Sequence, residues 1–160
     1  MHTVLVSSNE RQEIKDTLGD NGLETVIPYD FQVYTIRGLL AIERKLFPSD
    51  FLASLKDGRM AKECAAMREA AFRVLICEDE PNWTYTTDGH LKQGRQPVSR
   101  WTKTAIRNMM RSIRYAEGVD IEVTDSVKDT IATILELRDY FNAKSHLSLR
   151  SRPNLETSYL

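Results

Sequence analysis

An apolar run from Gly38 ends in the charged triplet Glu43-Arg44-Lys45. A short apolar run of this kind predicts a strand. Because side chains alternate along a strand, Glu43 and Lys45 must emerge on one face while Arg44 points to the other. A carboxylate beside an ammonium can hold a divalent cation and act on a water or a phosphate. The triplet alone is more typical of an edge strand that stays soluble through alternating charges, and both interpretations remain open at this point.

The chain as a whole predicts one globular domain. Its 160 residues, of which 41% are hydrophobic, are enough to bury a core. There is no signal-peptide pattern and no apolar run near the roughly 20 residues that cross a bilayer. We therefore expect an intracellular protein, in the cytoplasm of a prokaryotic or virus-infected cell or in a nucleus, that is neither secreted nor held in a membrane.

The spacing of the extended segments changes halfway along the chain. After a strand at 3–6 and a helix at 10–18, three closely spaced segments at 24–27, 32–36 and 38–45 predict an antiparallel meander. Further on, strands at 72–77 and 119–123 alternate with helices, which predicts parallel pairing, with 72–77 in the middle of the sheet. The remaining helices are expected at 49–56, 59–71, 99–117 and 125–141. The pattern predicts an α/β fold with a mixed sheet flanked by helices.

Positive charge is concentrated in one segment. The formal net charge of −1 argues against an indiscriminate, histone-like binder of nucleic acid. From His90 to Tyr115, however, there is no acidic residue, and one arc of the helix at 99–117 carries Arg100, Lys103, Arg107, Arg111 and Arg114. Such a stripe can be a solvated helix face, or it can contact phosphates. Exposed helices usually mix charges of both signs, so that acids and bases pair along the helix. This stripe contains no acid, which leaves its cations available to phosphates, and both interpretations remain open.

A polar segment at 78–97 separates the buried strand from this basic helix. It contains Trp83, Tyr85 and His90, and it is long enough to be a functional loop or a flexible one. Its aromatic residues either anchor the loop on the core or stack on an unpaired base. The sequence favours the anchor.

Around the triplet, several motifs follow one another in a defined order. Asp30 lies in a bend upstream of Glu43-Arg44-Lys45; a helical segment with Asp57-Gly58-Arg59 follows; and an apolar strand then ends at Glu78. This order resembles the XPF-type structure-selective endonuclease domain of the PD-(D/E)XK superfamily. The resemblance covers about residues 3–142. It implies a single restriction-endonuclease-like domain with a central mixed sheet, at 1–143, followed by a C-terminal tail at 144–160 that we expect to be loose.

The resemblance also implies roles for individual residues. It assigns Asp30 and Glu43 to the metal, together with the backbone carbonyl of Arg44, and Lys45 to catalysis; Glu10 matches a glutamate of the family's opening motif. Asp50 and Arg59 match supporting polar positions. The implied cofactor is Mg²⁺, with Mn²⁺ as a substitute. The predicted DNA contacts are Arg44, Arg59, Arg100, Lys103, Arg107, Arg111 and Arg114.

The chain departs from the family pattern at three places. Ser7 and Asn9 stand where the opening motif has Asp and Arg, Tyr29 replaces the glycine before the metal-binding Asp, and Asp50 follows the triplet one residue late. The expected function is a magnesium-dependent endonuclease that cuts branched or junction DNA in repair or recombination. The expected partner besides DNA is a second copy of the chain, in a homodimer. The alternatives are a catalytically silent module that binds DNA or a partner, and a sequence-specific restriction-type nuclease, for which no base-reading element is evident.

Overall fold

The computed structural model describes residues 2–144, which form eight strands and five α-helices. The strands are β1 (Val4–Ser7), β2 (Gly22–Thr25), β3 (Phe31–Thr35), β4 (Gly38–Phe47), β5 (Phe72–Asp79), β6 (Trp83–Tyr85), β7 (Leu91–Gln93) and β8 (Asp120–Thr124). The helices are α1 (Gln12–Leu18), α2 (Ser49–Asp57), α3 (Arg59–Met67), α4 (Lys103–Arg111) and α5 (Val127–Asn142), with a 3₁₀ turn at Gly19–Asn21 and a π-helical turn at Ser112–Ala116. Apart from Lys144, the predicted tail lies outside the described residues.

Six strands form one mixed sheet in the order β2-β1-β3-β4-β5-β8. β3 is antiparallel to both β1 and β4, and β4, β5 and β8 run parallel. This confirms the predicted mixed α/β sheet and its parallel second half. The predicted meander is only partly right, because β2 pairs in parallel with β1 and not with β3. The reason is the intervening helix α1, which makes β1-α1-β2 a crossover unit.

The two faces of the sheet have separate cores. On the face that carries Arg44, apolar residues of α1 and α5 pack against the sheet, among them Ile14, Leu18 and Ile134. On the face that carries Glu43 and Lys45, α2, α3 and α4 contribute Phe51, Cys64, Ile106 and others. α2 and α3 meet at Gly58, whose φ of +84° is a left-handed conformation that favours glycine. The split between these helices follows the prediction.

The basic helix begins later than predicted. Thr102 is its N-cap and its hydroxyl accepts a hydrogen bond from the Ala105 N–H, so α4 starts at Lys103. The residues before it are not helical: the Ser99 N–H bonds to the Leu91 carbonyl and the Leu91 N–H to the Trp101 carbonyl, and Arg100 lies in a bend. Arg100 is therefore not on the helix, and Arg114 lies in the π-helical turn beyond it.

The polar segment at 78–97 contains structure of its own. β5 extends to Asp79, and β6 and β7 form a short antiparallel hairpin. The Trp83 ring packs edge-on against Phe47, with ring centroids 5.1 Å apart, so the hairpin is anchored on the core as predicted. In the part of the chain that the structure describes, no helix is long and apolar enough to cross a membrane.

Candidate active site

Asp30 and Glu43 lie side by side on one face of the sheet. The register pairs Phe31 with Ile42, so the residues just beyond, Asp30 and Glu43, also lie across from each other. The Arg44 backbone N–H donates to Asp30 Oδ2 at 2.8 Å and fixes this carboxylate in place. Burial raises the pKa of Glu43, and the nearby Asp30 carboxylate, within hydrogen-bonding reach, raises it further. Two carboxyl groups so close together favour a proton or a cation between them.

Lys45 lies on the same face and is held by a residue that the sequence analysis did not identify. Its Nζ donates to Glu63 Oε1, on α3, at 2.8 Å. Burial disfavours the charged form of Lys45, but the bond to Glu63 outweighs this and raises the lysine pKa. Glu63 is one of two acids on the helix predicted at 59–71, and its sequence position carries no signal that distinguishes it from Glu69.

Arg44 points to the opposite face, as the alternation predicts. Its guanidinium makes two hydrogen bonds to Glu78, of 3.1 Å from Nε and 2.7 Å from Nη2, and Thr130 Oγ1 donates to Glu78 Oε1 at 2.6 Å. Only 8% of Arg44 is exposed. A side chain that is buried and paired in this way is not placed to contact a phosphate, so the predicted DNA contact of Arg44 needs correction. Its role in the fold is to tie β4, β5 and α5 together.

Glu10 and Ser7 border the carboxylate pair. Glu10 accepts a hydrogen bond from the Arg11 N–H and lies 3.6 Å from Arg44 Nη1. Burial raises the Glu10 pKa, and Asp30 is among the charges that add to this effect. The Ser7 N–H bonds to the Asp30 carbonyl, and the Ser7 hydroxyl accepts from the Asn9 N–H. The opening segment therefore does reach the site, but Ser7 supplies a hydroxyl there instead of a carboxylate.

Tyr29 and Arg59 have local structural partners. The Tyr29 ring is buried, and its hydroxyl donates to the Ala66 carbonyl at 3.1 Å, so it packs against α3 where the family has glycine. Arg59 is half exposed and bonds to both Asp57 and Asp50. Its charge is locally compensated, and it lies on α3, apart from the basic residues of α4.

The helix α4 lies over the same sheet face as Glu43 and Lys45. Its buried Ile106 packs in one cluster with Leu75 and Cys77, which are the β5 register partners of Glu43 and Lys45. The charged residues around it are exposed: Arg100, Lys103, Arg107, Arg111 and Arg114. Within residues 2–144, none of these five cations forms an ion pair with a carboxylate. Arg111 bonds to the side chain of Asn108, and Lys103 lies over the Tyr85 ring.

The donor set fits a hard divalent cation. Among the described residues, no three His, Cys, Asp or Glu side chains converge as a ready-made metal cluster. Mg²⁺ commonly uses one or two carboxylates and keeps several waters, and Asp30 with Glu43 supplies that number. The structural observation that favours a cation at this position is the placement of Asp30 across from Glu43, with Asp30 held there by the Arg44 N–H.

The fold defines a single α/β domain with a six-stranded mixed sheet flanked by helices. The chain belongs to the ERCC4 domain family, whose model matches residues 5–137. Two solved structures of XPF from Aeropyrum pernix are similar to it at 20% identity. One, in complex with DNA, has a TM-score of 0.62 over 88% of this chain and 64% of that one; the other has a TM-score of 0.64 over 98% and 68%. A comparison with curated proteins found no match.

The predicted family and fold are thus confirmed. The chain spans about two thirds of the length of the two XPF chains, 64% and 68%. The likeness to these structures concerns the fold, and the roles of individual residues remain predictions.

Proposed function

We propose that this domain is a magnesium-dependent endonuclease that hydrolyses phosphodiester bonds in branched or junction DNA, such as flaps, forks or four-way junctions, in repair or recombination. The observation that carries the proposal is the grouping of Asp30, Glu43 and Lys45 on one face of the sheet, beneath a helix whose exposed cations have no carboxylate partner within residues 2–144. Mn²⁺ is the expected substitute for Mg²⁺.

Each residue of the site has a distinct part in this chemistry. Asp30 and Glu43 would hold the cation, and the Arg44 N–H keeps Asp30 oriented towards Glu43. A divalent cation at this position supplies charge neutralisation at the phosphate and promotes ionisation of a water near neutral pH. Lys45, a buried cation on the same face, stabilises negative charge as it develops on the water or the phosphate. We also assign a catalytic part to Glu10 of the β1-α1 loop, which lies near Asp30 and pairs with Arg44 on the other side of β4.

The basic residues around α4 would bind the DNA backbone. Phosphate contacts fix the position of a duplex without reading its sequence, which suits an enzyme that selects structure. Lys103, Arg107, Arg111 and Arg114 project from the helix and its π-helical turn, and Arg100 from the bend before them. Selectivity for branches would arise from the shape of the duplex and from unpaired bases at the branch point.

The proposal is tested by cleavage of end-labelled linear, flapped, forked and four-way DNA with Mg²⁺, with EDTA, and with Glu43→Gln. We expect Mg²⁺-dependent incision of the branched forms, abolished by EDTA and by the substitution. Glu69→Gln is the matched control, because it removes the same charge from an exposed position and should leave cutting intact. Incision that survives in Glu43→Gln would contradict the assignment of this carboxylate.

A catalytically silent DNA-binding or partner-binding module is the second candidate. Ser7 favours it, since a hydroxyl occupies the position from which the family's opening motif supplies a carboxylate. This alternative gains support if branched DNA is bound but never cut, with either Mg²⁺ or Mn²⁺. We also propose that the domain pairs with a second copy, since two sites related by a twofold axis suit a symmetric junction; sedimentation with and without DNA tests this.

A further inference from the structure

A groove of about 300 Å³ opens beside the candidate active site, on the same face of the sheet. Its floor is formed by residues at the ends of neighbouring strands, including Cys77 of β5 and Val123 of β8. Cys77 is the register partner of Lys45, so the floor begins one strand away from that lysine, a spacing of about 4.8 Å. The groove therefore lies within the reach of a nucleotide next to a phosphate at the site.

The walls of the groove are aromatic and apolar. Trp83 and Tyr85 of the hairpin form one side, with their rings edge-to-face and 5.5 Å between centroids, and Ile106 and Met110 of α4 form the other. Trp83 is fixed in turn by its edge-on contact with Phe47. Rigid rings that are fixed in advance bind a flat ligand at little cost in side-chain entropy.

Positive charge lies at the rim of the groove, whereas its interior is mainly apolar. Lys103 and Arg107 stand at the edge, where Lys103 Nζ lies 5.6 Å from the centroid of the Tyr85 ring. Asp79 lies at the end of the floor, next to Trp83. An apolar interior with one acid disfavours a phosphate inside, whereas the two cations at the edge favour one there. The groove thus matches a nucleotide whose base is inside and whose phosphate stays at the rim.

We propose that this groove binds one unpaired nucleobase of the branched DNA, stacked against the Trp83-Tyr85 wall, while Lys103 and Arg107 hold the adjacent phosphate. This inference rests on the proposed function, because it places the unpaired base next to the strand to be cut. The groove would convert selection of branched DNA into a specific contact, since a fully paired duplex offers no base to insert. The domain would thus contact the DNA backbone through α4 and recognise an unpaired base through the groove.

Binding of flap DNA that carries a normal base or an abasic residue at the first unpaired position tests the groove. For the wild type, we expect the abasic flap to bind about tenfold more weakly, which is the scale of one base-aromatic stack. Val123→Phe fills the groove from a side chain that is 61% exposed, so it should not disturb the core. It should weaken binding of the normal flap by a similar factor and leave the abasic flap unchanged.

Val26→Phe is the matched control, because Val26 is 89% exposed and lies just beyond the far edge strand, β2. If Val123→Phe binds the normal and the abasic flap with the same affinities as Val26→Phe, the groove does not bind a base. If it instead shifts the protein from dimer to monomer without changing the affinity for the flap, the groove is an interface between copies and the proposal is overturned.

A second measurement separates the groove from the proposed function. In a Trp101→Phe background, the fluorescence of Trp83 should be quenched saturably by deoxynucleoside monophosphates, and Val123→Phe should abolish the quenching. Quenching without binding of branched DNA would retain the groove and reject the proposed function. Binding of branched DNA without quenching, and without a difference between normal and abasic flaps, would reject the groove and leave the proposed function standing.

Discussion

Lys45 Nζ donates to Glu63 Oε1 at 2.8 Å, and the other oxygen of Glu63 is buried without a hydrogen-bond partner among the described residues. A carboxylate in this state is held in place by one bond alone, so its main contact is the lysine of the candidate active site. Glu63 raises the pKa of Lys45 and fixes the position of its ammonium group. We therefore infer that Glu63 is a positioning residue for Lys45.

Glu63→Gln is expected to lower the cleavage rate about tenfold while DNA affinity stays unchanged. The substitution removes the charge that keeps Lys45 protonated, so the lysine pKa falls and activity should be lost at a lower alkaline pH than in the wild type. The pH dependence of single-turnover cleavage measures this shift. Glu69→Gln serves as the control, and an unmoved alkaline limb would show that Glu63 does not act through Lys45.

Lys45→Ala should abolish cutting and retain binding of branched DNA. The Lys45 side chain lies between the sheet and the helices that cover this face, next to the carboxylate pair. Its removal leaves the exposed cations of α4 in place, so the variant should still bind DNA. Cleavage and electrophoretic mobility measured on the same branched DNA separate the two effects. A variant that still cuts would remove Lys45 from the catalytic machinery.

Arg107→Ala combined with Arg111→Ala should weaken DNA binding and flatten its dependence on salt. Each phosphate contact that is lost reduces the slope of log K against log salt by about 1. The control replaces Arg11, the N-cap residue of α1, and Lys128 of α5, two exposed cations outside α4, and so matches the change in charge. An unchanged slope in the Arg107 and Arg111 variant would exclude these residues from the interface.

Glu78→Gln should destabilise the domain by about 3–5 kcal/mol, because it removes the carboxylate that bonds twice to the buried guanidinium of Arg44 and leaves only the longer contact with Glu10. Urea unfolding followed by circular dichroism measures the loss. Replacing Arg44 and Glu78 together by Met should cost less than Glu78→Gln alone. The exposed pair of Arg59 and Asp57 provides the contrast, since Asp57→Asn should lower the urea midpoint far less than Glu78→Gln does.

Ser7→Asp should increase the stabilisation of the domain by Mg²⁺ against thermal unfolding. Ser7 lies next to Asp30, so a new carboxylate there adds to the repulsion felt by Glu43. We expect a lower melting temperature in EDTA and a larger increase on adding Mg²⁺ than in the wild type. Ser8→Asp, at the exposed neighbouring position, is the control; equal responses in the two variants would show that position 7 does not contribute to a cation site.

Much of the fold could be predicted because it depends on local patterns. The alternation of β4 separates Glu43 and Lys45 from Arg44, and Asp57-Gly58 splits α2 from α3, since side-chain period and backbone conformation are properties of short segments. The start of α4 was missed because Thr102 caps the helix while 99–101 bond to β7. Those hydrogen bonds join segments whose pairing the local pattern does not specify.

The sequence by itself determined the order of the strands and helices other than the hairpin of β6 and β7, the face on which each residue of the triplet emerges, and the motifs that resemble the family. The tertiary structure alone decided which side chains meet. Glu63 joins Lys45 from another helix, Glu78 and Thr130 take up Arg44, β2 lies beside β1, and the hairpin of β6 and β7 forms a wall next to α4. Each of these contacts depends on how distant segments pack, and burial and charge pairing set their free energy only once the whole sheet has formed.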